Sequence, residues 1–129
     1  MTWRWIGLQV AYAIHDRQLA EHGGGEGVRD PGLVESALAR PQTLAVYGEP
    51  DAAALAAAYA FGICRNHGFV DGNKRTAWVL ARLFLADNGL RLTFDKAEAI
   101  RLMEALAAGG LEEAQVADWF RRRLSSPQD

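Results

Sequence analysis

The sequence predicts an all-α protein built as a bundle of about six helices. Half of the 129 residues are hydrophobic, and alanine and leucine far outnumber the β-branched residues that favour strands. The apolar residues recur at the three- and four-residue spacing of amphipathic helices. Glycine, proline and capping residues divide these stretches into six. The length predicts a single domain, residues 1–129.

The first predicted helix runs from about Ile6 to Glu21. It ends at the glycine run 23–25, because glycine readily adopts the left-handed conformation that terminates helices. The longer run 23–27 is not a phosphate-binding loop, since it follows a helix rather than a strand and no Gly-Lys-Ser/Thr sequence comes after it. It is interpreted as a helix stop and a flexible connection.

The second predicted helix begins at Asp30, an N-cap residue followed by Pro31 at the first helical position. It is expected to end near Arg40, because Pro41 lacks the backbone N–H that continues a helix. Residues 42–49 are predicted to form an extended loop or a short hairpin before the third helix.

The third and fourth predicted helices have clear starts and regular apolar faces. Asp51 is the expected N-cap of the third, and the fourth begins near Asn73 and stops at residues 88–89, Asn-Gly. Both faces follow helical spacing. The apolar positions are Leu55, Ala58, Tyr59, Gly62 and Ile63 in the third helix, and Ala77, Leu80, Ala81, Phe84 and Leu85 in the fourth.

The last two predicted helices are shorter. Asp95 and Glu98 resemble a capping box at the start of the fifth, which breaks at the glycine pair 109–110. The sixth is expected over about Glu112–Leu124, followed by a frayed tail at residues 125–129.

Composition excludes several classes of function. The formal charge of −2 argues against direct nucleic-acid binding, which needs a basic excess. A lone cysteine, Cys64, cannot form an intramolecular disulfide and is interpreted as a small core residue. The N-terminus lacks an apolar signal core, and no stretch is long enough to span a membrane. A cytoplasmic protein without membrane contact is therefore expected.

The candidate site lies between the third and fourth helices and concentrates polar residues in one short segment. That segment reads His67, Gly68, Phe69, Val70, Asp71, Gly72, Asn73, Lys74 and Arg75. A helix N-terminus presents free N–H groups and a partial positive charge, so it attracts anions. Lys74 and Arg75 add two cations at that end, which is unfavourable for the helix unless a bound anion compensates.

Each remaining polar residue of this segment suits phosphate chemistry. Asp71 can supply one oxygen ligand to Mg²⁺, which commonly binds through one or two carboxylates plus substrate phosphates. His67 carries a side chain that ionises near neutral pH and suits a general base. Gly72 permits close backbone approach, and Asn73 can cap the helix or donate its amide to a phosphate oxygen. Phe69 and Val70 are expected to face inward and anchor the loop.

Taken singly, these residues favour structural interpretations, such as a satisfied histidine, a capping asparagine and solvated cations. Taken together within nine residues, they favour a functional site. His15 and Asp16 suggest a metal-dependent phosphohydrolase only weakly, since further ligands are missing. These two residues are expected to brace the first helix against the site. The arginine run 121–123 is interpreted as a solvated helix face.

The segment closely resembles the signature of the Fic/Doc superfamily, His-Pro-Phe-x-x-Gly-Asn-Gly-(Lys or Arg)-x-x-Arg. It departs in three places: Gly68 replaces proline, Lys74 replaces the second glycine, and Trp78 replaces the closing arginine. The first two departures resemble the death-on-curing (Doc) branch. The resemblance extends over nearly the whole chain, including Ile14-His15-Asp16 and the run from Arg29 to Leu33.

The resemblance implies an ATP- and Mg²⁺-dependent transferase. Most Fic enzymes transfer AMP to a target hydroxyl, whereas the Doc branch transfers the γ-phosphate to a threonine of elongation factor Tu and stops translation. It implies catalytic roles for His67, Asp71 and Arg75, nucleotide binding by Gly72, Asn73, Lys74 and Arg75, and metal binding by Asp71. Lysine in place of the second glycine fills the position that the phosphates would take in adenylyl transfer, so the nucleotide is expected to bind reversed.

The resemblance further implies a flap, assigned to Pro41–Glu49, that positions the target by strand-like pairing. It also implies a cognate antitoxin that folds into a groove on the toxin. Two alternatives stay open: an adenylyl transferase of the Fic type, and a non-catalytic Fic-fold binding module.

Overall fold

A computed structural model describes residues 2–126 of the chain. In this part of the chain it contains six helices and a small two-stranded sheet, so the all-α bundle predicted from the sequence is confirmed. The elements are α1 (Leu8–His22), α2 (Pro31–Tyr47), α3 (Ala52–Asn66), α4 (Asn73–Asp87), β1 (Arg91–Leu92), α5 (Lys96–Ala107), α6 (Glu113–Arg121) and β2 (Leu124–Ser125).

Helix α3 lies at the centre of the bundle and packs against α2, α4, α5 and α6. Its small residues let neighbouring helices approach closely. At Gly62 a Cβ atom would lie 3.2 Å from the Cβ of Ala37 in α2. The buried residues of α3 are Ala52, Ala53, Leu55, Ala56, Ala57, Ala58, Tyr59, Ala60, Gly62, Ile63 and Cys64. This nearly continuous burial explains why the helix is rich in alanine.

Three of the predicted helix starts are confirmed by their side-chain caps. Asp30 accepts from the backbone N–H of Leu33, and Asp51 accepts from that of Ala54 at 2.9 Å. Asp95 accepts from the N–H of Ala97. The capping box predicted at this third start is wrong, because the Glu98 carboxylate accepts a hydrogen bond from Arg123 instead. A capping box forms at α6, between Glu112 and Gln115.

Helix α2 corrects the predicted chain path. It continues through Pro41 to Tyr47, so the predicted helix end at Arg40 and the extended flap at Pro41–Glu49 are both wrong. Proline removes one backbone hydrogen bond from a helix interior. Pro41, however, is buried in the helix, as are Ala37 and Leu38, and this apolar burial offsets the lost bond. The prediction considered only the lost hydrogen bond and not the burial of the proline ring.

The end of the described chain also differs from the prediction. Helix α6 ends at Arg121 rather than Leu124, because Leu124 and Ser125 pair antiparallel with β1 in register with Leu92 and Arg91. Ser125 is therefore not frayed, and residues 127–129 of the predicted tail lie outside the described residues. Within residues 2–126, no helix combines the length and apolar character needed to cross a membrane.

Candidate active site

The loop between α3 and α4 begins at a backbone position of high energy. His67 is the C-cap of α3 and adopts the left-handed conformation, with φ 53° and ψ 45°. It is the one non-glycine residue with positive φ among residues 2–126. This conformation costs an L-residue about 1–2 kcal/mol. Such positions persist where the surrounding structure fixes them, and they cluster at functional sites.

The surroundings of Gly68 explain why a glycine stands at the position of the proline in the Fic pattern. A Cβ atom here would lie 2.5 Å from Val34 Cγ2 and 3.0 Å from the Val34 backbone nitrogen. The Gly68 carbonyl accepts hydrogen bonds from the N–H groups of Arg29 and Asp30, at 2.8 and 3.0 Å. The start of α2 therefore approaches the loop so closely that no side chain fits between them.

Phe69 anchors the loop to α1, as predicted. It is buried, and its ring stacks on the His15 ring with centroids 3.8 Å apart and planes 10° apart. Tyr12 meets the Phe69 ring edge-on at 6.0 Å. The matching expectation for Val70 is wrong, since this side chain is 54% exposed. One aromatic anchor therefore positions the loop.

His15 holds the loop by a second contact. Its Nε2 lies 2.7 Å from the backbone oxygen of Asp71. A carbonyl oxygen only accepts hydrogen bonds, so Nε2 must carry the hydrogen. His15 is buried, and a Cβ atom on Gly72 would lie 3.5 Å from its ring. The expected bracing of α1 against the site is thus present through His15.

Asn73 closes the loop on itself. Its Oδ1 accepts from the Phe69 N–H and its Nδ2 donates to the Phe69 carbonyl, both at 3.1 Å. The N-cap of α4 is Gly72, in the left-handed conformation with φ 79°, rather than Asn73. The amide of Asn73 is therefore engaged in holding the loop, with one Nδ2 hydrogen left for a ligand.

The Asp71 carboxylate links the loop to the glycine run after α1. Oδ1 accepts from the N–H of Gly72 at 2.8 Å, and Oδ2 accepts from the N–H of Gly25 at 3.3 Å. At Gly24, where φ is 124°, a Cβ atom would lie 2.7 Å from Oδ2. Sequence reasoning interpreted this run as a connection only, because hydrogen bonds between distant backbone segments leave no local pattern.

The same segment pairs with the loop in a strand-like manner. Val28 and Phe69 form an isolated antiparallel β-bridge, and the Val70 N–H donates to the Gly27 carbonyl at 3.1 Å. Residues 21–30 are all exposed. Residues 24–30, rather than the predicted 41–49, therefore form the extended segment beside the loop.

The predicted site residues meet at one cavity of about 390 Å³. Its lining comprises Cys64, His67, Val70, Asp71, Gly72, Asn73, Lys74, Arg75 and Ala107. Within the described chain, no carboxylate forms an ion pair with Lys74 or Arg75. Burial raises the pKa of the Cys64 thiol, which agrees with its interpretation as a core residue rather than a nucleophile.

This arrangement combines an exposed imidazole, one carboxylate and, at a helix N-terminus, two cations that form no ion pair within residues 2–126. Among residues 2–126, no three or more histidine, cysteine or acidic side chains cluster as a metal site. Asp71 is the single acidic residue among the described residues that line the cavity. One carboxylate suits Mg²⁺ that takes its remaining ligands from substrate phosphates and water. The cavity is therefore equipped to bind an anion and move a proton beside it.

Comparison with known proteins agrees with this geometry. The model of the Fic/DOC family matches residues 5–85, more than half of the chain. The chain is 36% identical to "Protein kinase doc" of Escherichia phage P1 over 126 residues, which cover 97% of this chain and 99% of that protein. It is 48% identical to "Toxin Doc" of Mycolicibacterium smegmatis over 90 residues, covering 66% of this chain and 68% of that protein.

Proposed function

Because the chain belongs to the Fic/DOC family, we propose that it is a death-on-curing type toxin that transfers the γ-phosphate of ATP to a hydroxyl of a protein target. Its relatives carry the names of a protein kinase and of a toxin. One observation carries the proposal. The exposed His67 shares a cavity with Lys74 and Arg75, and no carboxylate of the described chain pairs with these two cations.

In the proposed reaction, His67 removes the proton from the target hydroxyl. The hydroxyl oxygen then bonds to the γ-phosphorus, and the bond from that phosphorus to the β–γ bridging oxygen breaks, which releases ADP. Arg75 and Lys74 stabilise the negative charge on the phosphate oxygens, the dominant contribution in phosphoryl transfer. Gly72, at the N-cap of α4, lets the backbone approach these oxygens.

The donor atoms present fit a magnesium nucleotide. Asp71 would hold Mg²⁺, which supplies charge neutralisation on the phosphates when bound. The carboxylate is already oriented by the N–H groups of Gly72 and Gly25, and it forms no ion pair with a cation of the described chain. Asn73 fixes the loop that carries Asp71, and its free amide hydrogen is available to a phosphate oxygen.

The proposed target is a translation factor resembling elongation factor Tu, so that phosphorylation blocks translation. Residues 24–30 are proposed to position it, because they are exposed and run beside the loop that carries His67. Main-chain pairing of this kind accepts an extended segment of the target. A cognate antitoxin is the second expected partner, in keeping with the toxin name of the mycobacterial relative.

Labelled ATP tests the proposal. The purified protein is incubated with Mg²⁺ and a bacterial lysate, with γ-labelled ATP in one reaction and α-labelled ATP in another, and then with purified elongation factor Tu. His67→Asn is the critical variant, because asparagine tolerates the left-handed backbone and removes the base. Gln9→Ala, on the exposed face of α1, is the control for handling and folding.

We expect γ-label on the target with the wild type and with Gln9→Ala, and a loss of 10²-fold to 10⁴-fold in rate with His67→Asn. Transfer of α-label would overturn the kinase assignment and establish an adenylyl transferase. If neither label is transferred to elongation factor Tu or to any lysate protein, the non-catalytic binding module becomes the better account.

A further inference from the structure

A second cavity lies next to the first and shares two residues with it. It measures about 390 Å³ and lies between α4 and α5. Lys74 and Arg75 line both cavities. The second cavity is completed by His22, Trp78, Phe94, Lys96, Ala99, Ile100, Met103 and Glu104. The two cations therefore stand between the cavity that holds His67 and a pocket of different character.

Five of the ten described residues that line the second cavity are apolar, namely Trp78, Phe94, Ala99, Ile100 and Met103. Trp78 and Phe94 meet edge-to-face, with ring centroids 5.1 Å apart and planes 86° apart, and so form a corner. Met103 is 5% exposed, whereas Ile100 presents 48% of its surface to solvent. Pockets of 300–1,000 Å³ with apolar walls and a few polar groups are typical of small-molecule sites. These apolar side chains suit a flat, largely apolar group.

Three cationic side chains also line this cavity. Trp78 follows Arg75 by three residues and Lys74 by four, so these side chains share one face of α4. Lys96 adds a third cation from α5. In the described part of the chain, none of these three cations pairs with a carboxylate. An occupant with an apolar ring and an anionic chain would match both the apolar and the cationic side chains of the lining.

We infer that this cavity holds the base and ribose of the donor nucleotide, with its phosphates lying across Lys74 and Arg75 towards His67. The inference rests on the proposed function and names the second half of its substrate site. The γ-phosphate then lies at the end of the chain nearest to the base that activates the hydroxyl. The Glu104 carboxylate, at the same cavity, can accept a hydrogen bond from the amino group of adenine.

Methionine provides a specific probe, because Met103 is the only methionine besides Met1. Protein labelled with ¹³C at the methionine methyl groups is titrated with ATP, adenosine and inorganic triphosphate, without Mg²⁺ and with it. We expect ATP and adenosine to shift the Met103 methyl signal, and inorganic triphosphate to leave it in place. A Met103 signal that ignores ATP, or responds equally to triphosphate, overturns the inference.

A matched pair of variants supplies the second measurement. Ile100→Ser removes an exposed apolar side chain from the cavity, and Val10→Ser removes one of similar exposure, 44%, from α1. Calorimetry is expected to show about a tenfold weaker ATP affinity for Ile100→Ser, unchanged affinity for Val10→Ser, and unchanged triphosphate affinity for both. Equal ATP affinity in the two variants would contradict the inference.

These experiments distinguish a failure of this inference from a failure of the proposed function. If γ-label is transferred normally while Ile100→Ser binds ATP like the wild type, the kinase stands and the pocket has another occupant, such as an antitoxin segment. If no label is transferred while ATP shifts Met103 and Ile100→Ser weakens binding, the pocket is a nucleotide site of a protein that is not a kinase.

Discussion

The two ends of helix α3 are built in opposite ways. At its start, Asp51 accepts from the Ala54 N–H at 2.9 Å and receives two further hydrogen bonds from Arg121, at 2.7 and 3.0 Å. At its end, His67 takes up the left-handed conformation that glycine adopts most easily. The Asp51 end is stabilised by a side-chain cap, whereas the His67 end has a backbone conformation that is unfavourable for a residue other than glycine.

This contrast separates stability from the proposed activity within a single helix. The buried residues of α3 pack against four other helices, α2, α4, α5 and α6. Asp51 fixes one end without touching the cavity, whereas the His67 end sets the direction in which the loop leaves the core. A change at Asp51 should therefore alter stability alone. A change at the His67 end should alter stability and transfer activity, and the two effects can be measured separately.

The largest expected effect is at Gly68. In Gly68→Ala the new Cβ would lie 2.5 Å from Val34 Cγ2 and 3.0 Å from a backbone nitrogen, so loop or helix must move. We expect the free energy of unfolding to fall by about 1–3 kcal/mol, the usual cost of overpacking. Denaturant titration measures this loss, and γ-label transfer should fall with it.

Gly48→Ala is the control for this variant, because a Cβ atom at Gly48 would lie 3.6 Å from its nearest neighbour, the Leu44 carbonyl oxygen, and the backbone there is extended. Its unfolding free energy should stay much closer to that of the wild type. Equal losses in the two variants would mean that the Val34 contact does not confine the loop.

The second effect is at the stabilised end. Asp51→Ala removes the N-cap of α3 and the partner of Arg121, and we expect a loss of about 1–2 kcal/mol in unfolding free energy. Asp51→Asn keeps a capping oxygen and should lose less. Label transfer by the folded protein is expected to equal that of the wild type in both variants. A drop in transfer would show that the two ends are coupled.

The third variant, His67→Gly, is expected to be more stable than the wild type. In His67→Gly the left-handed backbone no longer carries a side-chain penalty, so we expect the unfolding free energy to rise by about 1 kcal/mol. Transfer of γ-label should fall by about 10²-fold to 10⁴-fold, as in His67→Asn, because the base is gone. The measurement is a denaturant titration beside the transfer assay. A variant that is less stable than the wild type would show that the His67 side chain itself stabilises the fold.

Much of the fold could be predicted because its signals are local. Asp30 with Pro31, Asp51 and the Asn-Gly stop at residues 88–89 each act on neighbouring backbone groups, and the structure has helix boundaries at these positions. The prediction at Pro41 was wrong because the effect of a proline in a helix depends on its burial, which the local sequence does not show. Local rules describe what a residue prefers alone, and packing decided the outcome there.

The candidate site divides in the same way. The segment from His67 to Arg75 was identified from residue types and helix-terminus electrostatics, which need no knowledge of the fold. The contacts of the Asp71 carboxylate with Gly25 and of the Gly68 carbonyl with Arg29 were missed, because they join segments more than 30 residues apart in the chain. Glycines that permit such contacts look like flexible connections until the partner segment is known.

The smallest expected effect tests the charge at the Asp51 end. The Arg121 hydrogen bonds hold the pKa of Asp51 below its ordinary value of 3.8. A carboxyl with a depressed folded pKa stabilises the protein above its unfolded pKa, and this contribution is lost as pH falls through the folded value. The stability difference between wild type and Asp51→Asn should therefore shrink as the pH falls below the ordinary pKa of 3.8.

The pH-dependent part of this stability difference should stay below about 1 kcal/mol. The Asp51 side chain is 52% exposed and that of Arg121 is 46% exposed, so water screens the pair. Added salt should reduce it further. A difference that does not change with pH would assign the whole effect of Asp51 to its neutral capping geometry. The stabilised end of α3 would then depend on hydrogen bonding alone, like the loop at its other end, and the contrast between the two ends would lie only in backbone conformation.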